Sequence, residues 1–323
     1  MKNKYYLGVA LPAFMFGKWE TFGGAVTENF DSYTCENEMK PEAILVKPEV
    51  GGMPTLNYDR SKPAVERALA EGVKMRLHTL VWHSQTPGWF FTRDYTDDGE
   101  LVDRDTMLSR MEWYIKEVTE HFCGTYPELF YAIDVVNEAY DVGDGDENGV
   151  RKKNSRWYET VGPDFVYMAF KFARKYVPKG IKLFYNDYSC MFKSDLILAR
   201  LADAKRDGLI DGIGMQSHLS VGDDLDRFFA AAKQFLDAGY ELQLTELDVG
   251  IKEVNEETLA AQGDFYRRLR EGVDKLVESG ENFTSLTVWG VNDTTSWRRR
   301  ESPLLYDAEM NKKPAYYGFM KLQ

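Results

Sequence analysis

The chain has 323 residues, 44% of them hydrophobic and 28% charged, the balance of an ordinary globular protein and not of a disordered or fibrous one. Its 52 Asp and Glu outweigh 40 Lys and Arg, a net charge of -12 that repels phosphate backbones and anionic lipid, so neither nucleic acid nor a membrane is an expected partner. Cys35, Cys123 and Cys190 are an odd number with no close pair, and read as small buried hydrophobes, not as a disulfide set or a metal clip.

Along the chain, the basic start Met1-Lys2-Asn3-Lys4 precedes an apolar run, residues 5–11, too short and aromatic for a signal-peptide core. The expected location is the cytoplasm, or outside the cell after loss of a signal absent from this sequence. Strand-like runs follow at 6–11, 32–35, 74–81, 131–136, 181–185, 212–216, 241–244 and 285–289. Between them lie segments of helical period: 61–71, the Met107, Met111, Tyr114, Ile115, Val118 and Phe122 stripe, 163–176, 195–207, the Leu225, Phe228, Ala232 and Phe235 stripe, and 256–278.

Eight strands alternating with helices predict parallel βαβ units closing as a (β/α)8 TIM barrel, with residues 1–323 as a single domain. A doubly wound open sheet is the alternative, but no GxGxxG follows the first strand and no GxxxxGK[ST] occurs. The loop 141–149, rich in Asp and Gly, loosely resembles a calcium loop, yet it lacks the Glu of the twelfth position and reads as a surface insertion.

Barrel enzymes carry their reactive groups at the C-terminal ends of the strands. There this chain has Glu36, Asn37 and Lys40; His78, Trp82, His83 and Gln85; Asn137 and Glu138; Asn186, Asp187 and Tyr188; Gln216 and His218; Glu246 and Asp248; then Trp289, Asn292, Asp293 and Trp297. Any one of these alone reads as a structural group. Together they form a rim of carboxylates, amides, imidazoles and indoles that is costly to desolvate without a use. Two carboxylates amid indoles and amides suit glycoside hydrolysis, in which one acts as general acid and the other as nucleophile or base. Indoles stack on the apolar faces of sugar rings, and amides and amines hydrogen-bond the hydroxyls.

The segments 30–40 (Phe-Asp-Ser-Tyr-Thr-Cys-Glu-Asn-Glu-Met-Lys), 78–85 (His-Thr-Leu-Val-Trp-His-Ser-Gln), Asp134-Val135-Val136-Asn137-Glu138, Tyr185-Asn186-Asp187-Tyr188, 212–218, Thr245-Glu246-Leu247-Asp248 and Val288-Trp289-Gly290, with Lys313-Pro314-Ala315-Tyr316 near the end, occur in an order that resembles glycoside hydrolase family 10. Those are (β/α)8 endo-β-1,4-xylanases (EC 3.2.1.8) that hydrolyse xylan with retention. The resemblance implies Glu138 as acid/base and Glu246 as nucleophile. It implies Glu36, Asn37 and Lys40 on the xylose units at the nonreducing side, His78, Trp82, Gln85 and Asn137 around the cleaved ring, Tyr188 among the substrate contacts, Gln216 and His218 supporting the nucleophile, and Trp289 and Trp297 covering the sugar. Period-two geometry puts Glu246 and Asp248 on one strand face, so a chain Glu246–His218–Asp248 is sterically open. Asn137 and Glu138 are adjacent and reach one site only if their strand ends or bulges there.

The sequence departs from the family at Pro41, where many members carry Trp, at Asp31 for a usual Asn, and in the short loop holding Arg298, Arg299 and Arg300, which read as solvated or as contacts for acidic side groups on xylan. The expected partners are xylan and xylo-oligosaccharides, with no metal or cofactor and a monomer favoured. The competing readings are a metal-dependent barrel hydrolase, with Glu138, Glu246, Asp248, His78 and His218 as ligands, and a noncatalytic xylan-binding barrel.

Overall fold

The computed structural model describes residues 4–49 and 51–322; Val50, Gln323 and the first three residues of the basic start lie outside the described residues. Eight strands form the frame: β1 (Tyr6–Leu11), β2 (Ser32–Cys35), β3 (Lys74–Trp82), β4 (Phe130–Asn137), β5 (Lys182–Asp187), β6 (Gly212–Met215), β7 (Glu241–Gly250) and β8 (Phe283–Val288). They stand in the order β8-β1-β2-β3-β4-β5-β6-β7, and β8 also pairs in parallel with β7, so the row returns on itself as the expected (β/α)8 barrel. By contacts the chain falls into two compact units, one of residues up to Thr34, Tyr188–Ser194 and from Ile213 onward, the other of Cys35–Asp187 and Asp195–Gly212.

In the first unit, β1 pairs with β8 in a register that sets Gly8 against Thr287. A Cβ on Gly8 would stand 2.4 Å from the Thr287 hydroxyl oxygen, so only glycine lets the strands approach here. The helix Trp19–Asn29 was not expected, because Gly23 and Gly24 interrupt its apolar period. Gly23 is there for packing: a Cβ would lie 2.5 Å from the Trp19 indole nitrogen. Strand β7 runs six residues beyond its expected end at 244, and every one of its residues is buried. Its polar positions fall on odd numbers at Glu241, Gln243 and Thr245, then on even ones at Glu246 and Asp248. The register against β8 shifts between Leu244 and Leu247, and this added residue hands the polar face over to Glu246 and Asp248.

In the second unit β3, β4 and β5 pair in parallel. Here too the register shifts near the strand ends, between His78 and Val81 and between Asp134 and Val136. The helices Arg104–Thr119 and Arg156–Val161 start at Asp103 and Ser155, whose side chains accept from Thr106 N and Tyr158 N and satisfy amides that the first turn leaves over. Between strand and helix the core is aromatic, with Phe90, Phe91, Tyr114, Phe122 and Trp157 all fully buried, each contributing roughly 1.5–3 kcal/mol by leaving water. The Asp-rich loop after β4 holds a side chain of its own: Arg151 bridges Asp141 and Asp144 at 3.2 Å each, the insertion that the sequence reading favoured over a calcium loop. All three cysteines are buried thiols; burial, and then Glu38, push Cys35 well above the usual range, and burial carries Cys123 up to about 12. Among the described residues no helix is long and apolar enough to cross a membrane.

Candidate active site

The second unit carries the Glu138 carboxyl. Strand β4 ends at Asn137, and Glu138 takes a left-handed φ of 55°, the break the sequence required if both side chains were to reach one place. The amide of Asn137 then lies 3.3 Å from Glu138 Oε1, and the Trp82 indole donates to Oε2 at 3.0 Å. Trp82 is held by the buried Trp157, whose indole donates to the Trp82 carbonyl at 3.0 Å. Asn186 donates to Asn137 Oδ1 at 2.8 Å, fixing which end of that amide faces Glu138.

Beside them is a polar cluster from the loops after β2 and β3. Lys40, 6% exposed, donates to Asn37 Oδ1 at 3.0 Å and to Gln85 Oε1 at 2.9 Å, with its ammonium 4.9 Å from the Trp82 ring centroid. Gln85 Nε2 reaches the same Asn37 oxygen at 3.3 Å. Pro41, where a Trp is usual, opens the one-turn helix Pro41–Ile44 at the position where a missing N–H costs nothing. Glu36 is half-buried at the end of β2. Beneath this layer Asp134 is bonded by Arg76 Nε at 2.9 Å, by a second Arg76 nitrogen and by His78 Nδ1 at 3.0 Å, all three residues being almost fully buried. Against a carboxylate, His78 Nδ1 is the donor of this hydrogen bond.

The first unit carries the Glu246 carboxyl. A short strand, His218–Ser220, pairs in parallel with the end of β7 and sets His218 against Asp248. The imidazole bridges the two carboxylates, Nε2 to Glu246 Oε2 at 3.3 Å and Nδ1 to Asp248 Oδ2 at 2.9 Å. Burial alone would lower the His218 pKa, but Asp248 and Glu246 carry it up to about 10, so the ring is an imidazolium at neutral pH. Asp248, wholly buried, also accepts from Trp297 Nε1 at 3.1 Å and from Arg298 at 2.5 Å, and Arg298 continues to Glu301 at 2.6 Å. Five groups thus alternate in sign: Glu246, His218, Asp248, Arg298, Glu301. Arg298 is engaged inside the protein, which corrects its reading as part of a solvated or ligand-facing run; Arg299 and Arg300 are exposed.

Gln216 is buried and its carbonyl accepts from Glu246 N at 2.8 Å. Trp297 is 57% exposed and meets His218 in a T-shaped contact, the ring centroids 4.9 Å apart, whereas Trp289 is 6% exposed and its backbone N–H donates to the Leu247 carbonyl. Tyr188 is half-buried, with the Lys193 ammonium 3.8 Å from its ring centroid. Trp89 is buried, its ring at steep angles to those of Phe90 and Tyr95.

Sequence reasoning gave no role to Arg76, Asp134 or Trp157 and a different one to Arg298. Charged residues inside a barrel strand have no period that separates them from outward ones; for Asp134 the signal was its place in an otherwise apolar run.

A family model described as glycosyl hydrolase family 10 matches residues 1–322. The chain is 40% identical over 316 residues to endo-1,4-beta-xylanase B of Butyrivibrio fibrisolvens, a match of 92% of this chain and 48% of the relative, so the chain spans about half the length of that curated protein. Among solved structures, the CBM22-1–GH10 modules of Xyn10B from Clostridium thermocellum, complexed with xylohexaose, superpose with a TM-score of 0.91 at 32% identity over 99% of this chain and 66% of that one. The intracellular xylanase TsXylA of Thermoanaerobacterium saccharolyticum superposes at 0.86 with 32% identity, covering 98% of this chain and 95% of its own. With its motifs in order and matches along nearly its whole length, the chain belongs to glycosyl hydrolase family 10.

Proposed function

We propose that this chain is an endo-1,4-β-xylanase that cuts internal bonds of xylan or xylo-oligosaccharides with retention, with residues 1–323 as one catalytic barrel. Glu246 is the nucleophile. The observation that carries this assignment is its bond to the His218 imidazolium, which favours the ionised carboxylate a nucleophile needs and aims one oxygen. Glu138 is the acid/base, its carboxyl aimed by Trp82 and Asn137. A Glu246 oxygen attacks the anomeric carbon as the bond to the leaving sugar breaks, and Glu138 gives its proton to the departing oxygen. Water then attacks the glycosyl ester, Glu138 takes a proton from it, and the Glu246 carboxylate is released with the β configuration restored.

Lys40, Asn37, Gln85 and Glu36 form the hydroxyl-binding group on the nonreducing side, His78 and Asn137 flank the cleaved ring, and Trp289, Trp297 and Tyr188 supply faces for sugars. Two carboxylates supply all the proton and nucleophile chemistry, so neither metal nor cofactor takes part, and the enzyme acts as a monomer. The test is azide rescue. Glu138→Ala should yield the β-azide from an activated xylobioside and Glu246→Ala the α-azide; the reverse pattern exchanges the roles. Activity lost on exhaustive chelation and restored by one ion would favour the metal-dependent reading, and binding without new reducing ends the noncatalytic one.

A further inference from the structure

Glu138 is the first residue of the excursion 138–155, and the backbone around it is tied at every peptide. Its own N–H donates to the Asn186 carbonyl at 2.9 Å; the next two N–H groups, of Ala139 and Tyr140, both donate to the Tyr185 hydroxyl at 3.0 Å; and its carbonyl accepts from Arg151 Nε at 2.9 Å. A left-handed φ of 55° is unfavourable for a residue with a Cβ, and such a conformation persists where its surroundings over-determine it. Arg151 is the part of those surroundings that comes from the loop itself. It is 6% exposed; its two terminal nitrogens meet Asp144 Oδ2 and Asp141 Oδ2 at 3.2 Å each, and its own N–H returns to the Ala139 carbonyl at 2.8 Å. The acidic loop is folded for this purpose: Asp141 Oδ1 accepts from Gly143 N and Asp144 N, and Lys153 holds the other Asp144 oxygen at 3.0 Å.

We propose that Arg151, clamped by Asp141 and Asp144, is a positioning residue for the acid/base: by fixing the Glu138 carbonyl it fixes the direction in which the Glu138 carboxyl leaves the backbone. The inference rests on the assignment of Glu138 given above. The guanidinium suits the task, since it never loses its proton and its planar fork reaches three acceptors at once, where a lysine presents one movable point charge. Rotation of the peptide after Glu138 moves the Cβ and, three bonds further on, the carboxyl. Displacements of about 1 Å at a reacting group cost on the order of 100-fold in rate.

A role confined to neutralising the acidic loop predicts a uniform loss of activity or none; a role in aiming the acid predicts a loss graded by the leaving group. The experiment measures kcat/KM on phenyl and on 2,4-dinitrophenyl β-xylobioside for wild type, Arg151→Ala, Arg151→Lys and Glu138→Ala. Protonation matters for the first substrate and not for the second. Arg151→Ala should lose about 10- to 100-fold on the phenyl substrate and under about 3-fold on the dinitrophenyl one, with Arg151→Lys between. If Arg151→Ala does not fold, the double variant Asp141→Asn/Asp144→Asn, which keeps the arginine and loosens its clamp, is expected to show the same graded loss. Equal losses on both substrates, or no loss, overturn the proposal. Glu138→Ala separates the two failures: a graded loss there with none in the Arg151 variants defeats only the positioning role, and an ungraded loss in Glu138→Ala defeats the acid/base assignment itself.

Discussion

Removing the Asp134 carboxylate tests how the polar layer under Glu138 is held. Asp134 and Arg76 are each 1% exposed and His78 is 2% exposed, and the carboxylate takes two bonds from the guanidinium and one from the imidazole. Asp134→Ala leaves a buried guanidinium without this counterion, a change that destabilises by about 3–5 kcal/mol. With an unfolding entropy of about 2.1 cal/mol/K per residue, a loss of about 4 kcal/mol in a chain of this length lowers the melting midpoint by about 6 °C. Calorimetry at pH 7 reads that shift. The cost belongs to the stranded charge and not to the lost pair, so Arg76→Met/Asp134→Leu, which fills the space with apolar groups, should recover more than half of it. A single-variant shift under about 2 °C, or a double variant less stable than the single one, would refute the reasoning. The single variant should also lose activity beyond its loss of fold, since His78 would no longer have its Nδ1 proton directed to Asp134.

The His218 ring has a folded pKa of about 10 against an ordinary 6.5, so its contribution to stability is complete below about pH 6.5 and is lost as pH rises through 10; the midpoint gap between wild type and His218→Asn should narrow from pH 7 to pH 10, and a constant gap would count against the bridging imidazolium. Trp82→Phe deletes the donor at 3.0 Å from Glu138 Oε2 and should lower kcat/KM on xylan about 3- to 10-fold, the worth of an ordinary hydrogen bond; steady-state kinetics at wild-type level would remove Trp82 from the aiming of the proposed acid. Lys40→Met removes the donor shared by Asn37 and Gln85 and should raise KM for xylotetraose about tenfold with kcat nearly kept, so an unchanged KM would take Lys40 out of the sugar site.

The strands were legible because barrel strands are short apolar runs with turn chemistry on both sides, and β1 and β2 have the expected bounds. The errors lie where tertiary packing overrides local pattern. The helix Trp19–Asn29 was hidden by glycines that exist to admit the Trp19 ring, and the last six residues of β7 by a polar face that changes parity at a register shift. Of the candidate site, the sequence offered the polar groups that follow apolar runs, Glu138 just past the end of β4 and Glu246 inside β7. The site was illegible one layer down, because Arg76, Arg151 and Arg298 act through partners 58, 13 and 50 residues away, and no spacing within a strand or loop announces such a bond.

If Glu246 is the nucleophile proposed above, the alternating row from Glu246 to Glu301 bears on the second half of the reaction. In the resting protein it carries three negative and two positive groups, and each inner member lies between opposites. With Glu246 as the proposed nucleophile, formation of the glycosyl ester would discharge only the outermost position and leave a balanced row with the imidazolium beside the ester. Hydrolysis would return a full negative charge to Glu246 beside a cation already in place, so little reorganisation would accompany the departure of the sugar. On that proposal, the same bond that orients the carboxylate for attack would also make it a better leaving group and bias the covalent species toward breakdown and release.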